Sequence, residues 1–205
     1  MEKSAAFAPV EQEEIRADIA ELLTQLCERG LGGVQLVIVD EHRGIAAAVR
    51  RQLPEAARQR CTVHLERNVL TKTPQRLRAR VAKHLRAVFE ASELAEARKR
   101  LHEFGQGLGR QVPEAFACLE AGFGAATQFF AFPREHWTRI RSTNGLERLH
   151  GEVKRRTRSI GAFPDRDSAL RLVTAVALET AHVWADRRYL DMSLLKAGSP
   201  KIVAA

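Results

Sequence analysis

The sequence predicts a mostly helical α/β protein: one strand–helix–strand unit followed by a long block that is helical throughout. Three observations predict it. Val34-Gln35-Leu36-Val37-Ile38-Val39 is a nearly continuous apolar run rich in β-branched residues, the pattern of a buried strand. A second short run, Cys61-Thr62-Val63-His64-Leu65, follows a helical stretch over residues 44–53 that Pro54 closes. Strand, helix, strand at this spacing implies a parallel pair. From residue 68 to residue 132, apolar residues recur at helical spacing with no strand pattern.

The elements follow in order. Residues 1–10 read as a loose tail. Ile15, Ile19, Leu22, Leu23 and Leu26 place a helix over residues 11–29, stopped by Gly30, Gly32 and Gly33. Asp40 closes the first strand. In the middle block, Leu77, Val81, Leu85, Val88 and Phe89 line one face; Leu94, Ala97, Leu101, Phe104 and Leu108 line a second. Phe116, Leu119, Phe123 and Phe130 line a third, behind Pro113, and the block is expected to pack on itself. Phe132-Pro133 breaks the pattern. Ser142-Thr143-Asn144 then offers capping residues for a helix that turns Leu146, Leu149 and Val153 inward and ends near Gly161 and Pro164. A last helix starts near Asp167 and carries Leu172, Val176, Val183 and Trp184.

The 205 residues suit one domain, or one core with a large insertion, and 45% hydrophobic content argues against wholesale disorder. A net charge of +8 favours a polyanionic partner, because each neutralised phosphate releases condensed counterions. Three widely spaced cysteines, Cys27, Cys61 and Cys118, do not form a disulfide framework and fit a reducing cytosol. No apolar run is long enough to span a bilayer, and the first ten residues lack the pattern of a signal peptide. The expectation is a cytoplasmic protein.

Two carboxylates stand out. Asp40 ends a strand, where a parallel sheet places its ligand-binding loops. Glu147 opens a basic helix: residues 134–158 hold eight Lys or Arg against three Glu. Carboxylates among cations can hold Mg²⁺ while their neighbours hold phosphates. Each has a blander reading. Asp40 can simply cap the next helix. Asn144-x-x-Glu147 has capping-box spacing. The roles are separable, because a metal-bound Glu147 must face Asp40, whereas a capping one faces its own backbone. Cys61 and His64 invite a zinc reading, but one pair is poor evidence for a closed site, and alternation along a strand puts residues three apart on opposite faces. His42 reads as a loop histidine or a ligand. Trp137 reads as core or as a platform for an unpaired base. Lys154, Arg155, Arg156 and Arg158 read as a solvated face or as phosphate contacts.

Four blocks carry a resemblance. Val39-Asp40-Glu41-His42-Arg43-Gly44-Ile45 is similar to the Ser-Asp-Ala-His-x-Gly-Leu segment of Mutator-type transposases of bacterial insertion sequences, departing at Val39, Glu41 and Ile45. Arg60-Cys61-Thr62-Val63-His64, followed by Arg67-Asn68, resembles the family's Cys-x-x-His strand. Phe132-Pro133-Arg134-Glu135-His136-Trp137 and Ser142-Thr143-Asn144-Gly145-Leu146-Glu147-Arg148-Leu149 resemble the block bearing the family's glutamate. Lys154-Arg155-Arg156-Thr157 and Arg187-Arg188-Tyr189-Leu190 extend the likeness over residues 12–195; His150 and Gly151 depart from it.

The resemblance implies a partial RNase H-like core with a large all-α insertion. The segments are a tail (1–10), core with the second catalytic Asp (11–66), insertion (67–133), basic Glu-bearing helix and C-terminal helix (134–190) and tail (191–205). It implies an Asp-Asp-Glu triad on Mg²⁺ or Mn²⁺, with Asp40 as second aspartate and Glu147 as glutamate. Arg141, Asn144, Arg148, Lys154, Arg155, Arg156 and Arg158 would contact DNA; His42, Cys61, His64 and Trp137 would lie near the active site. The partners implied are transposon ends and target DNA, bound as a homo-oligomer at the nucleoid, with no membrane. The first aspartate belongs on an upstream strand. Glu2, Glu11, Glu13, Glu14, Asp18, Glu21 and Glu28 all fall in the tail or first helix, so a catalytic-domain fragment, inactive alone, is expected. The alternatives are a non-enzymatic helical nucleic-acid-binding protein and a plain helical interaction module.

Overall fold

A computed structural model of the chain describes residues 9–41, 43–185 and 189–195. Helix α1 (Pro9–Glu28) packs on α2 (Arg43–Gln52), and Gln52 Nε2 donates to Thr24 Oγ1 at 2.9 Å between them. Gly30 (φ 98°) and Gly33 (φ 65°) turn the chain out of α1 through the left-handed region, which a side chain would resist. Strand β1 (Leu36–Val39) then pairs in parallel with β2 (Ala57–Arg60), Leu36 opposite Ala57 and Val39 opposite Arg60. The strand–helix–strand unit is as the sequence predicts, and most of the rest is helical.

The second strand, however, comes earlier than expected. The run 61–65, read as a strand, instead opens helix α3 (Thr62–Thr71). Thr62, Leu65 and Val69 are buried on one side of α3, a helical spacing that a five-residue run is too short to reveal. The true strand, Ala57-Arg58-Gln59-Arg60, looks too polar to be inside. Gln59 is nevertheless fully buried, because its polar atoms are all used. Its Nε2 donates to Arg60 O (2.6 Å) and Ala126 O (2.8 Å), and its Oε1 accepts from Phe129 N (2.9 Å).

Within β1 only Val39 is buried, against the expectation of a fully buried strand. Ala57 N donates to Gln35 O and Cys61 N to Val39 O, so the odd-numbered residues face β2. The main chain of Leu36 and Ile38 therefore points to the other edge, and no strand pairs there among the described residues. A cavity of about 740 Å³ runs along that edge, lined by Leu36, Ile38, Leu146, Leu149, Trp184 and Tyr189 among others.

The middle block comprises α4 (Arg78–Phe89), α5 (Leu94–Gln106) and α6 (Pro113–Ala126), with a short 3₁₀ turn between α5 and α6. Val81, Leu85, Val88, Ala97, Phe104 and Leu119 are wholly buried. Each large one stabilises the fold by roughly 1.5–3 kcal/mol. The block does not pack only on itself: Leu65 and Val69 of α3 belong to the same core, and α6 also packs against β2. Contact between α3 and α6 is close at Gly122, where a Cβ would lie 2.5 Å from Arg60 Nη1 and 2.8 Å from Leu65 Cδ1.

Helices α7 (Trp137–Ile140), α8 (Asn144–Ile160) and α9 (Arg166–Ala185) complete the described fold. Here the apolar faces are less covered than expected. Leu146 is 51% exposed, Val183 49% and Trp184 46%, whereas Val176 is buried. Leu146 and Trp184 border the cavity along the unpaired edge of β1. Residues 191–195, expected as tail, form a turn whose Leu195 packs on the core and whose Asp191 carbonyl accepts from buried His136 Nε2 at 3.0 Å. Among the described residues no single helix is long and apolar enough to cross a membrane.

Candidate metal and nucleic-acid site

Three element ends meet at the site. Asp40 follows β1, His64 lies in the first turn of α3, and Glu147 lies in the first turn of α8. The His64 imidazole stands between the two acids: Nδ1 is 2.5 Å from Asp40 Oδ1, and Nε2 is 3.4 Å from Glu147 Oε1. The side chains of Asp40 and Glu147 are nearly half exposed, so the acids open to solvent while the ring is mostly covered. His64 Nδ1 itself is shut off from solvent and makes no well-directed hydrogen bond, close as it lies to Asp40.

Cys61 lies beneath, fully buried immediately before α3. Its Sγ accepts from both Thr143 N and Thr143 Oγ1, each at 3.4 Å. Because residues 61–64 enter a helix, Cys61 and His64 fall on the same side. The expectation that strand alternation would part them is thereby overturned. One oxygen of Asp40, the Cys61 sulfur and one His64 nitrogen all lie within 4.8 Å of one another.

Glu147 does not form a capping box. Thr143 precedes the helix and makes no side-chain cap bond; Glu147 meets Thr143 through its own backbone N–H, at 3.0 Å. Its carboxylate is left to face His64. Two polar residues beside the site escaped the sequence reading of function. Buried Arg60 pairs with Glu41, and Asn68 Nδ2 also reaches Glu41 Oε2 at 3.4 Å.

The other expected site residues separate. Trp137 sits with Phe129 and Phe130, edge to face at 5.6 and 4.8 Å, and donates Nε1–H to Phe132 O at 2.7 Å: a core position. Arg141 Nη1 is spent on Phe89 O at 3.1 Å. Asn144 is exposed at the start of α8. Arg155 is doubly bonded to Glu152, which holds the Glu152 carboxyl below its ordinary range and raises the guanidinium. Arg156 reaches Glu179 of α9 at 3.2 Å. Arg148, Lys154 and Arg158 are exposed and have no acidic partner at ion-pair distance among the described residues. His42 lies outside the described residues.

Chemically, the corner offers two carboxylates suited to a hard cation, with a thiol and an imidazole beside one of them. Comparison with known proteins gives this arrangement a context. The chain is 38% identical over 184 residues to the transposase of insertion sequence element ISRM5 from Rhizobium meliloti, 89% of this chain and 46% of that protein. It is 41% identical over 164 residues to the transposase of IS406 from Burkholderia multivorans, 79% of this chain and 42% of that one. It is 35% identical over 172 residues to the transposase of IS256 in transposon Tn4001 from Staphylococcus aureus, 81% and 43% respectively. The chain thus spans somewhat less than half the length of these relatives. The pattern that defines the family "Transposase, Mutator family" matches residues 7–187, so the chain belongs to the Mutator family of transposases.

Proposed function

We propose that this chain carries two of the three carboxylates of a metal-dependent DNA-cutting and DNA-joining centre, Asp40 and Glu147. The observation that supports the reading is their placement on the two nitrogens of one imidazole, although they come from elements more than a hundred positions apart in sequence. The donor set fits the ion: both acids present exposed oxygens, and a hard divalent cation takes carboxylate oxygen together with water and phosphate. When bound, Mg²⁺ or Mn²⁺ supplies activation of a water or 3′-hydroxyl and stabilisation of the leaving oxygen.

The chain's own residues do the rest. His64 spaces the two acids. Arg148, Lys154 and Arg158 on α8 hold phosphates next to Glu147. In this reading residues 11–66 and 134–190 belong to an RNase H-like core, and 67–133 is an insertion that braces it. The third carboxylate comes from the part of the transposase this chain does not span, so the chain alone binds DNA as a cytoplasmic, nucleoid-associated protein but does not cut it. Transposon ends and target would be held by a homo-oligomer of the whole enzyme.

Two measurements test this. Mn²⁺ added to the purified chain should broaden the His64 ring resonances, and Asp40→Asn with Glu147→Gln should weaken that effect at least about tenfold. Unchanged Mn²⁺ binding in the double variant would overturn the metal-ligand reading. Incubation with supercoiled plasmid and Mg²⁺ should give no nicking; robust nicking by a clean preparation would overturn the claim of inactivity.

A further inference from the structure

We propose that Asp40, Cys61 and His64 form a second kind of cation site, for a thiophilic divalent ion of the Zn²⁺ class. It shares Asp40 with the reading above but does not rest on it. Carboxylate, thiolate and imidazole are together the donor set of zinc and cobalt rather than of magnesium. The three ligand atoms lie within 4.8 Å of one another. Tetrahedral zinc, with bonds of about 2.0–2.3 Å, needs neighbouring ligand atoms roughly 3–4 Å apart. Small adjustments suffice, and Asp40, at a strand end and 47% exposed, is free to make the largest.

Two further observations point to a ligand here. His64 Nδ1 is buried and, although 2.5 Å from Asp40 Oδ1, makes no directed hydrogen bond, an unusual state for a buried imidazole nitrogen. The ring's other nitrogen faces Glu147 Oε1 at 3.4 Å. A metal-binding histidine commonly donates its far N–H to a carboxylate, which fixes the tautomer and turns the free lone pair to the metal. Glu147 is placed for that role, with Nδ1 left for the ion. The Cys61 sulfur is held in place by Thr143 N and Oγ1, each 3.4 Å away. Three protein ligands leave a fourth position for water on the side where Asp40 meets solvent.

Co²⁺ is the probe, because its thiolate and four-coordinate complexes are coloured. The purified 205-residue chain, kept reduced with a phosphine, should take up about one Co²⁺ with a sulfur-to-cobalt charge-transfer band and intense visible bands. Cys61→Ser should abolish the charge-transfer band, and His64→Gln should collapse the affinity. Glu147→Gln should keep the band and weaken binding about tenfold. A chain with Cys27→Ser and Cys118→Ser retains Cys61 as its only thiol and should keep the full band, which assigns the sulfur even if Cys61→Ser does not fold. No charge-transfer band in the folded chain, or a band lost with Cys27 and Cys118, would sink the site. Failure here with Mn²⁺ binding intact sinks this proposal alone; loss of Mn²⁺ binding with the Co²⁺ band intact sinks only the earlier one.

Discussion

Cys61 and Thr143, 82 positions apart, are joined twice: the sulfur accepts from both the amide and the hydroxyl of Thr143. One residue starts α3 and the other starts α8, so the two helix ends that carry His64 and Glu147 are tied at their roots. Thr62 N donating to Arg141 O at 3.0 Å is a third tie in the same place. Thr143→Val keeps the shape and the amide bond but removes the hydroxyl. The expected loss is about 0.5–1.5 kcal/mol in urea unfolding, with weaker Mn²⁺ binding because Glu147 is less well placed. A variant as stable as the parent and unaltered in Mn²⁺ affinity would show that the tie does not position the site.

Gln59 joins the sheet to the end of α6 at Ala126 and to the turn beyond it at Phe129, and its third hydrogen bond goes to the neighbouring Arg60 carbonyl, all in the interior. Gln59→Leu fills the same space and leaves Ala126 C=O and Phe129 N–H without partners. Each stranded group costs about 1–3 kcal/mol, so a loss of at least about 2 kcal/mol is expected. An unfolding midpoint within error of the parent's would mean that those groups find water or each other.

This glutamine also shows what the sequence could and could not disclose. The apolar run before Asp40 and the periodic faces of α4, α5 and α6 are legible because burial writes itself as hydrophobic pattern. Strand β2 is not legible, since Gln59 and Arg60 are buried by virtue of partners 67 and 19 positions away. Misplacing that strand moved Cys61 and His64 onto opposite faces, which hid their convergence. The two acids that flank His64 stand out in the sequence because a strand end and a basic helix are chemical signals that survive an error in boundaries. The exposure of Leu146 and Trp184 could not be foreseen, because a helical apolar stripe looks the same whether or not something covers it.

Gly122 lets α3 and α6 approach where Arg60 and Leu65 fill the gap. In Gly122→Ala the new methyl meets the Arg60 guanidinium and both Leu65 methyls inside normal contact distance. Helix propensity favours alanine by about 1 kcal/mol, but overpacking costs about 1–3 kcal/mol, so net destabilisation is expected. The Arg60–Glu41 pair beside Asp40 should loosen with it. A rise in melting temperature would show that Arg60 yields without cost.

Glu66 on α3 has a carboxyl raised above its ordinary range, chiefly by burial, with Arg141 and Arg86 pulling the other way and Glu90 adding to the rise. The folded state therefore binds this proton more tightly than the unfolded one. Stability contributed by Glu66 is present below the ordinary carboxylate range and falls as pH rises through the raised value. Glu66→Gln should melt slightly higher than the parent at neutral pH, with the difference vanishing as pH drops below the ordinary range. A variant that melts lower at neutral pH would mean the two arginines outweigh burial.

Salt dependence separates the cations of α8 by the company they keep. Lys154 and Arg158 are exposed without an acidic partner among the described residues, whereas Arg155 is held by Glu152 and Arg156 by Glu179. A cation that must first leave a carboxylate gains less from a phosphate, because the lost ion pair offsets part of the released counterion. Lys154→Ala with Arg158→Ala should therefore weaken binding to duplex DNA about equally for all sequences. It should also lower the slope of log affinity against log salt by about 2. Arg155→Ala should change the slope by less than either of those residues does singly. Fluorescence anisotropy with a short labelled duplex at several salt concentrations reads all three. An unchanged slope in the double variant would place the DNA on another face and remove the reason for linking the basic helix to Glu147.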